Sequence, residues 1–459
     1  MTEHTDEPRG AAPGVGETPR QGRPRDLGGV INPGEGVLAG APMATRREFA
    51  AAAAATAASA ILAAGAGAAR ASEDGDGQAR ASSEADAASS AESEGKQVVT
   101  TTTNGVTSTN LLTFSDETGT VSYEPTATFD LPEGSLLTMD CDRYAAILRA
   151  NDTARPLTVI ECLDVMTGTV SPVLSQPISG DDYAPSECRI TSSLVAWVEM
   201  NNATDEWKLY AAPFAGTEVV RDNVVKLSEG DAEWLPAQFA VWDDRVVWQV
   251  MPDASGSHVT ESSIAYLWRL GQDTGTGVWT SRGRFGCAPD LNAGILTIAP
   301  RVNADSGTYY GITSLDVDEP DRTIDQLVLP ASVKPFFVTT IGSRFAFSIE
   351  ANYGYGGTFG SMGTYVGPSQ GPFYALQLEP SAQINYVGGL LVVRSSLSYY
   401  VFDLDGESFT RIYAASNCSD AGDYPATSGT SNMFLTYALV RDEESGLPSG
   451  VSARIFSLT

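Results

Sequence analysis

Histidine is almost absent from this sequence of 459 residues, which contains only His4 and His258. That excludes His-rich metal sites and leaves little from which to build a Ser-His-Asp triad. Cysteine is scarce as well. Cys141, Cys162, Cys188, Cys287 and Cys418 form an odd set without a Cys-x-x-Cys pair, so metal clusters of the familiar spacings are excluded. Positive charge is the third shortage. With 28 Lys+Arg against 57 Asp+Glu the formal net charge is −29, which argues against nucleic acid, because phosphate binding needs clustered Lys and Arg. A helix-period amphipathic stretch of useful length is missing after residue 98, and no Gly-x-Ser-x-Gly elbow precedes a helical domain.

Glycine, proline and β-formers are plentiful. Gly 45 and Pro 25 imply many turns, and a hydrophobic content of 42% is enough for a sizeable core. Residues 1–42 are rich in Gly, Pro and Arg and carry no pattern, as expected of a disordered extension or a mis-assigned start, with Met43 the alternative start. Residues 43–71 have the layout of an export signal. Arg46-Arg47-Glu48-Phe49 precede an Ala-rich run without charge, and Ala69-Arg70-Ala71 places small residues at the positions a signal peptidase reads, with Ser72 following. The paired arginines ahead of Phe49 resemble the twin-arginine export signal, which implies a twin-arginine translocase as partner during export. The expected location is therefore the cell surface or the medium, or the periplasm of a double-membrane cell. An uncleaved signal helix would be the only membrane anchor, since about 20 Ala-rich residues are long enough to span but barely apolar enough. Residues 72–105 form a low-complexity Ser/Ala/Glu/Asp/Gly linker that cannot bury a core.

A short apolar motif then recurs seven times. It begins at Arg143, Leu194, Arg245, Gly294, Arg344, Gly389 and Met433, with steps of 51, 51, 49, 50, 45 and 44 residues. A proline precedes each motif: Pro132, Pro185, Pro236, Pro289, Pro335, Pro380 and Pro425. Each unit adds a second alternating run ending in a turn, such as Tyr399-Tyr400-Val401-Phe402-Asp403-Leu404-Asp405-Gly406. Val, Ile, Tyr and Phe at period two with Asp-Gly turns predict strands and hairpins, and units of this length with about four strands are propeller blades. The expected fold is all-β, a seven-bladed β-propeller over 106–459, with eight or six blades as alternatives, preceded by the disordered region and the signal helix. Asn110–Phe129 is expected to supply the outer strand or strands of the last blade and so to close the ring.

Gly180-Asp181-Asp182-Tyr183-Ala184-Pro185 leading to Leu194-Val195-Ala196-Trp197 resembles the blade repeat of the Tol-system periplasmic propellers. Asp231-Ala232-Glu233-Trp234-Leu235-Pro236 leading to Arg245-Val246-Val247-Trp248 repeats it. The resemblance spans most of 130–440 and implies blade architecture without catalytic residues. The family's Ser-Pro-Asp-Gly turn is missing, as is a second domain for the protein partners those relatives engage.

In four-stranded blades the loops between strands two and three share one face with the loops between blades. That face is the candidate ligand surface for a protein, peptide or glycan. It carries the aromatic loop of 352–373 with Tyr353, Tyr355, Phe359 and Tyr365, whose rings could stack on a sugar or peptide. It also carries Asp182, Glu233, Asp423 and His258. Self-packing of the aromatic loop and a solvated acidic surface are the plainer readings. A Ca²⁺ ion held by such carboxylates is the one cofactor left open, although Asp403-Leu404-Asp405-Gly406 and Asp316-Val317-Asp318 lack the downstream bidentate Glu and read as hairpin turns. Four of the cysteines fall in or beside inner strands, and Cys141 with Cys188 is the pair placed to test for a disulfide, buried free thiols being the alternative. Sialidase-type boxes are missing, since Gly271 to Trp279 lacks their Ser and Thr. Three functions follow from these observations. An extracytoplasmic binding module, more than an enzyme, is the first. A glycan hydrolase or lyase using carboxylates of the loop face is the second, and a cofactor protein the third.

Overall fold

The inner and second strands of the blades are short runs rich in β-branched, aromatic and small apolar residues, and the second strands are buried on both sides. The computed structural model describes residues 106–116, 124–149, 159–304, 307–395, 398–413, 418–419 and 431–458. Within them the strands form seven sheets in chain order, each beginning with an inner strand and stepping outward. Blades 1 to 6 cover 136–174, 184–230, 238–281, 290–328, 337–376 and 385–413. Blade 7 combines Cys418–Ser419, Met433–Arg441 and Pro448–Ser457 with the N-terminal strand Ala127–Leu131. Ala127–Leu131 pairs antiparallel with the C-terminal strand, Ala127 opposite Ile455 and Leu131 opposite Val451. The ring has seven blades.

The recurring apolar motif is the second strand of every blade, from Tyr144–Arg149 in blade 1 to Met433–Arg441 in blade 7. Strand periodicity explains its composition, because successive residues face opposite neighbours. In Leu194–Asn201, Leu194, Ala196, Val198 and Met200 pack toward blade 3, while Val195 and Trp197 pack toward blade 1. Each joint between adjacent blades holds one apolar cluster of this kind. The joint between blades 4 and 5 is the most aromatic, with Phe345, Phe347, Phe359, Tyr365 and Phe373 together. Polar staples accompany the clusters near the axis. The Thr138 hydroxyl donates to the Cys188 carbonyl at 2.6 Å between blades 1 and 2. The Thr191 hydroxyl donates to the Asp243 carbonyl at 2.6 Å between blades 2 and 3. The Asn292 amide donates to the Thr340 carbonyl at 3.2 Å between blades 4 and 5.

Closure differs from the expectation in one respect. The N-terminal segment does not give blade 7 two outer strands. Ser108–Asn110 lies parallel to Phe373–Leu376 as a fifth strand of blade 5, and Ser115–Asp116 lies parallel to Ser408–Tyr413 as a fifth strand of blade 6. A single 3₁₀ turn, Leu111–Thr113, links the two strands, with the Asn110 side chain capping it through the Leu112 N–H at 3.0 Å. Leu111 and Phe114 drop from this strap into the joint between blades 5 and 6. The segment thus runs along the edges of blades 5 and 6 before its continuation closes blade 7.

The signal helix is also corrected. The described residues contain three single-turn 3₁₀ segments and no α-helix. None of the helices among the described residues is long and apolar enough to cross a membrane, and the expected signal helix is not among them. The residues on which that reading fell, Arg46, Arg47, Phe49, Ala69, Ala71 and Ser72, lie outside the described residues, as do the linker 72–105 and Asp423.

Candidate functional site

The loops preceding inner strands and the loops joining second to third strands share one face, and on it two of the expected residues meet. Glu233 lies in the loop entering blade 3 and His258 in the loop between that blade's second and third strands. Backbone pairing holds the two loops side by side. The Leu235 N–H donates to the Met251 carbonyl at 2.9 Å, the Asp253 N–H donates to the Glu233 carbonyl at 2.8 Å, and Trp234 bridges to Pro252.

His258 Nε2 lies 3.4 Å from Glu233 Oε2, while His258 Nδ1 is hydrogen-bonded to Glu261. The imidazole stacks on the Trp234 indole, with centroids 5.0 Å apart and planes 28° apart. The Ser257 N–H donates to Glu233 Oε2 at 3.2 Å, and the Ser257 hydroxyl donates to the same oxygen. Because that hydroxyl is directed at a carboxylate and not at the imidazole, Ser257 is not set up as a His-activated nucleophile. The hydrogen bond that His258 Nδ1 donates to Glu261 pushes the His258 pKa up, and the charges of Glu261, Glu233 and Asp231 add to it. The imidazolium therefore persists above the ordinary histidine range. A histidine between two carboxylates, half-exposed and backed by an indole, is equipped for proton transfer at the rim of the ring.

The aromatic loop behaves otherwise. Phe359 and Tyr365 are fully buried, and Phe359 packs edge-on against Phe373 at 4.9 Å and Tyr365 at 5.3 Å. The Tyr365 hydroxyl donates to the Ser361 carbonyl at 2.7 Å, and burial pushes its pKa up to about 12. Tyr353 packs against the same cluster. The loop folds back tightly at Gly356, where a Cβ would lie 2.3 Å from Gly360 Cα. Of the four aromatic side chains expected on the ligand face only Tyr355 stands free, at 98% exposed. Asp182 is exposed at the entry to blade 2, and none of the interactions described here joins it to His258.

The described cysteines Cys141, Cys162, Cys188 and Cys287 are free thiols, so Cys141 and Cys188 are not bridged. Burial pushes the Cys162 and Cys287 thiols up to about 12 and Cys188 well above its ordinary value. Among the described residues no group of three or more His, Cys, Asp or Glu is arranged to hold a metal ion. Asp403 and Asp316 instead accept backbone N–H bonds, from Asp405 at 3.1 Å and from Asp318 at 3.0 Å, within their hairpin turns.

Sequence reasoning missed Trp234, Ser257 and Glu261 as parts of this cluster. The available signal was Glu261 three residues after His258, with Trp234 directly following Glu233.

No known protein family matches the chain, and no curated protein matches it. Solved structures do. The chain is similar to the β-propeller domain of the Trilobed protease from Pyrococcus furiosus, at 9% identity and a TM-score of 0.45, over 71% of this chain and 95% of that one. It is similar to the Pyrococcus horikoshii acylaminoacyl peptidase at 9% identity and a TM-score of 0.45, over 74% of this chain and 54% of that one. It is similar to an oligogalacturonate lyase in complex with manganese at 12% identity and a TM-score of 0.42, over 71% of this chain and 90% of that one. The chain thus spans about half the length of the acylaminoacyl peptidase. At this identity the likenesses concern the fold, and no activity passes through them. Peptidases and a lyase are among these structures, and the expectation of a binding module more than an enzyme is withdrawn. Scarcity of His and Cys was a poor argument against catalysis, since carboxylate acid–base chemistry needs neither in number. The fold presents a loop face suited to binding or catalysis.

Proposed function

We propose that this chain is an exported propeller enzyme that cleaves a glycosidic bond by hydrolysis at the Glu233–His258–Glu261 cluster. The observation that carries the reading is His258 held between two carboxylates over the face of Trp234. When charged, the imidazole carries a proton on each ring nitrogen, one facing Glu233 and one facing Glu261, so a proton donor and two proton acceptors sit in a single hydrogen-bonded chain. The His258 imidazolium protonates the departing glycosidic oxygen while Glu233 and Glu261 hold the imidazole in its charged form, and the attacking water gives its proton to solvent. Trp234 and the neighbouring Val259, 48% exposed, supply an apolar floor for a sugar ring. The formal net charge of −29 repels anions, so the substrate class is a neutral or amino glycan and not a polyuronate. Hydrolysis is preferred to lyase chemistry for the same reason, since the described cluster carries no Lys or Arg to neutralise a uronate carboxylate. Export through the twin-arginine route rests on Arg46, Arg47 and Phe49 ahead of the uncharged Ala-rich run.

The test is release of reducing ends from a panel of neutral and amino glycans by the full chain and by E233Q and H258Q. Both variants should lose activity at least about a hundredfold while keeping wild-type circular dichroism. A wild-type protein inert on the whole panel, or variants as active as wild type, would refute the reading.

A further inference from the structure

The axis of the ring holds a carboxyl group that the loop-face chemistry does not use. Asp290 opens the inner strand of blade 4, Asp290–Asn292, and is 4% exposed. Its Oδ1 accepts from Gln383 Nε2 at 3.4 Å, and the Thr339 hydroxyl also bonds the carboxyl. Its Oδ2 is buried without a hydrogen-bond partner among the described residues. Gln383, which precedes the inner strand of blade 6, also donates to the Val338 carbonyl of blade 5 at 3.4 Å. One amide therefore joins blades 4, 5 and 6 at the Asp290 carboxyl.

Countercharge at this point is already committed. Arg189 of blade 2 acts on Asp290 through space, but its Nη1 donates to Asp140 Oδ1 at 2.6 Å and its Nε to Glu187 Oε1 at 3.2 Å. One positive charge thus faces two carboxylates before Asp290 is counted. The strands packed on Asp290, Gln238–Trp242, Ile295–Ile298 and Phe337–Ile341, contain no ionisable residue. Cys287 nearby is a neutral, partly buried thiol, and the exposed Lys334 acts on it.

We propose that Asp290 is a proton-binding site at the axis, whose occupancy fastens the inner strands of blades 4, 5 and 6 and whose loss loosens them. Protonation takes a proton from solvent onto the buried carboxyl and removes a charge that Arg189 cannot neutralise. Burial, opposed by Thr339 and Arg189, pushes the carboxyl up from 3.8 to about 6. The sign follows from linkage. The folded chain holds a proton that the unfolded chain has released, so the stabilisation is complete below the ordinary Asp range. It is lost as pH rises through about 6. The rise from 3.8 to about 6 corresponds to about a hundredfold in the folding equilibrium constant.

Denaturant unfolding of the full chain and of D290N between pH 4 and 8 tests this. The folding constant of D290N relative to wild type should rise about a hundredfold from the acid to the neutral end, and parallel curves would overturn the proposal. Should D290N fail to fold, infrared titration of the wild type and of Q383L gives an independent answer. Wild type should lose a protonated-carboxyl band with a midpoint near 6, and Q383L, stripped of the amide donor, should move that midpoint upward. A midpoint unmoved by Q383L, or no carboxyl titrating above the ordinary range, would overturn it.

Discussion

Two adjacent leucines in the N-terminal strap have opposite environments, and truncating each in turn measures what the strap contributes. Leu111 is 0% exposed and packs among Ile341, Val366, Leu391 and Phe402 between blades 5 and 6, whereas Leu112 is 37% exposed. Removing a fully buried leucine side chain costs the transfer energy of its carbons plus the cavity left behind, about 3–4 kcal/mol in a site that cannot collapse. The surrounding residues belong to two separate sheets whose backbones are tied into their own ladders, so little collapse is available. In a ring of this size each kcal/mol lowers Tm by about 2 °C, which puts L111A about 6–8 °C below wild type. L112A should fall within about 0.5 kcal/mol of wild type. Differential scanning calorimetry of the full chain with both variants is the assay. Equal shifts for L111A and L112A would refute the account, because the strap would then be an ornament on the edge and not part of the joint.

Further outcomes follow from the same geometry. F359A should lose about 3–5 kcal/mol of stability, and Y355A, at an exposed tip, almost none; chemical denaturation separates them, and equal losses would restore the aromatic loop as a ligand surface. G230A should destabilise by about 1–3 kcal/mol, since its Cβ would lie 2.6 Å from the buried Trp207 ring; a neutral result in the same assay would show that the ring can move aside. The His258 imidazole has only His4 as a spectral neighbour, so long-range nitrogen NMR can follow its titration directly. Its midpoint should lie above the ordinary histidine value, and E261Q, which removes the main cause of the shift, should bring it down.

The blades were legible because their constraint is periodic. Tyr144–Arg149 and its six counterparts must each fill two joints at once, and that requirement leaves near-continuous apolar runs at regular steps. The strap was not legible, since Ser108–Asn110 and Ser115–Asp116 are short, polar and exposed, with only an Asp116–Arg411 ion pair at 3.3 Å added to the backbone pairing of the second strand. Phe359 and Tyr365 misled for a physical reason: loop position suggests exposure, yet the joint between blades 4 and 5 extends outward and takes them as core. Glu233 and His258 were found separately, and their meeting depended on the pairing of Trp234 with Pro252. Asp290 left no signal, because a single Asp after a proline looks like any strand entry until the surrounding blades close over it.

The most direct test of the proposed centre is the pH dependence of kcat/KM for glycan cleavage by wild type and E261Q, set beside the NMR titration of His258 in each. The account predicts that the alkaline limb of the rate coincides with the His258 midpoint and that both move to lower pH together in E261Q. A rate profile that stays in place while the His258 midpoint moves would contradict the assignment of His258 as the acid.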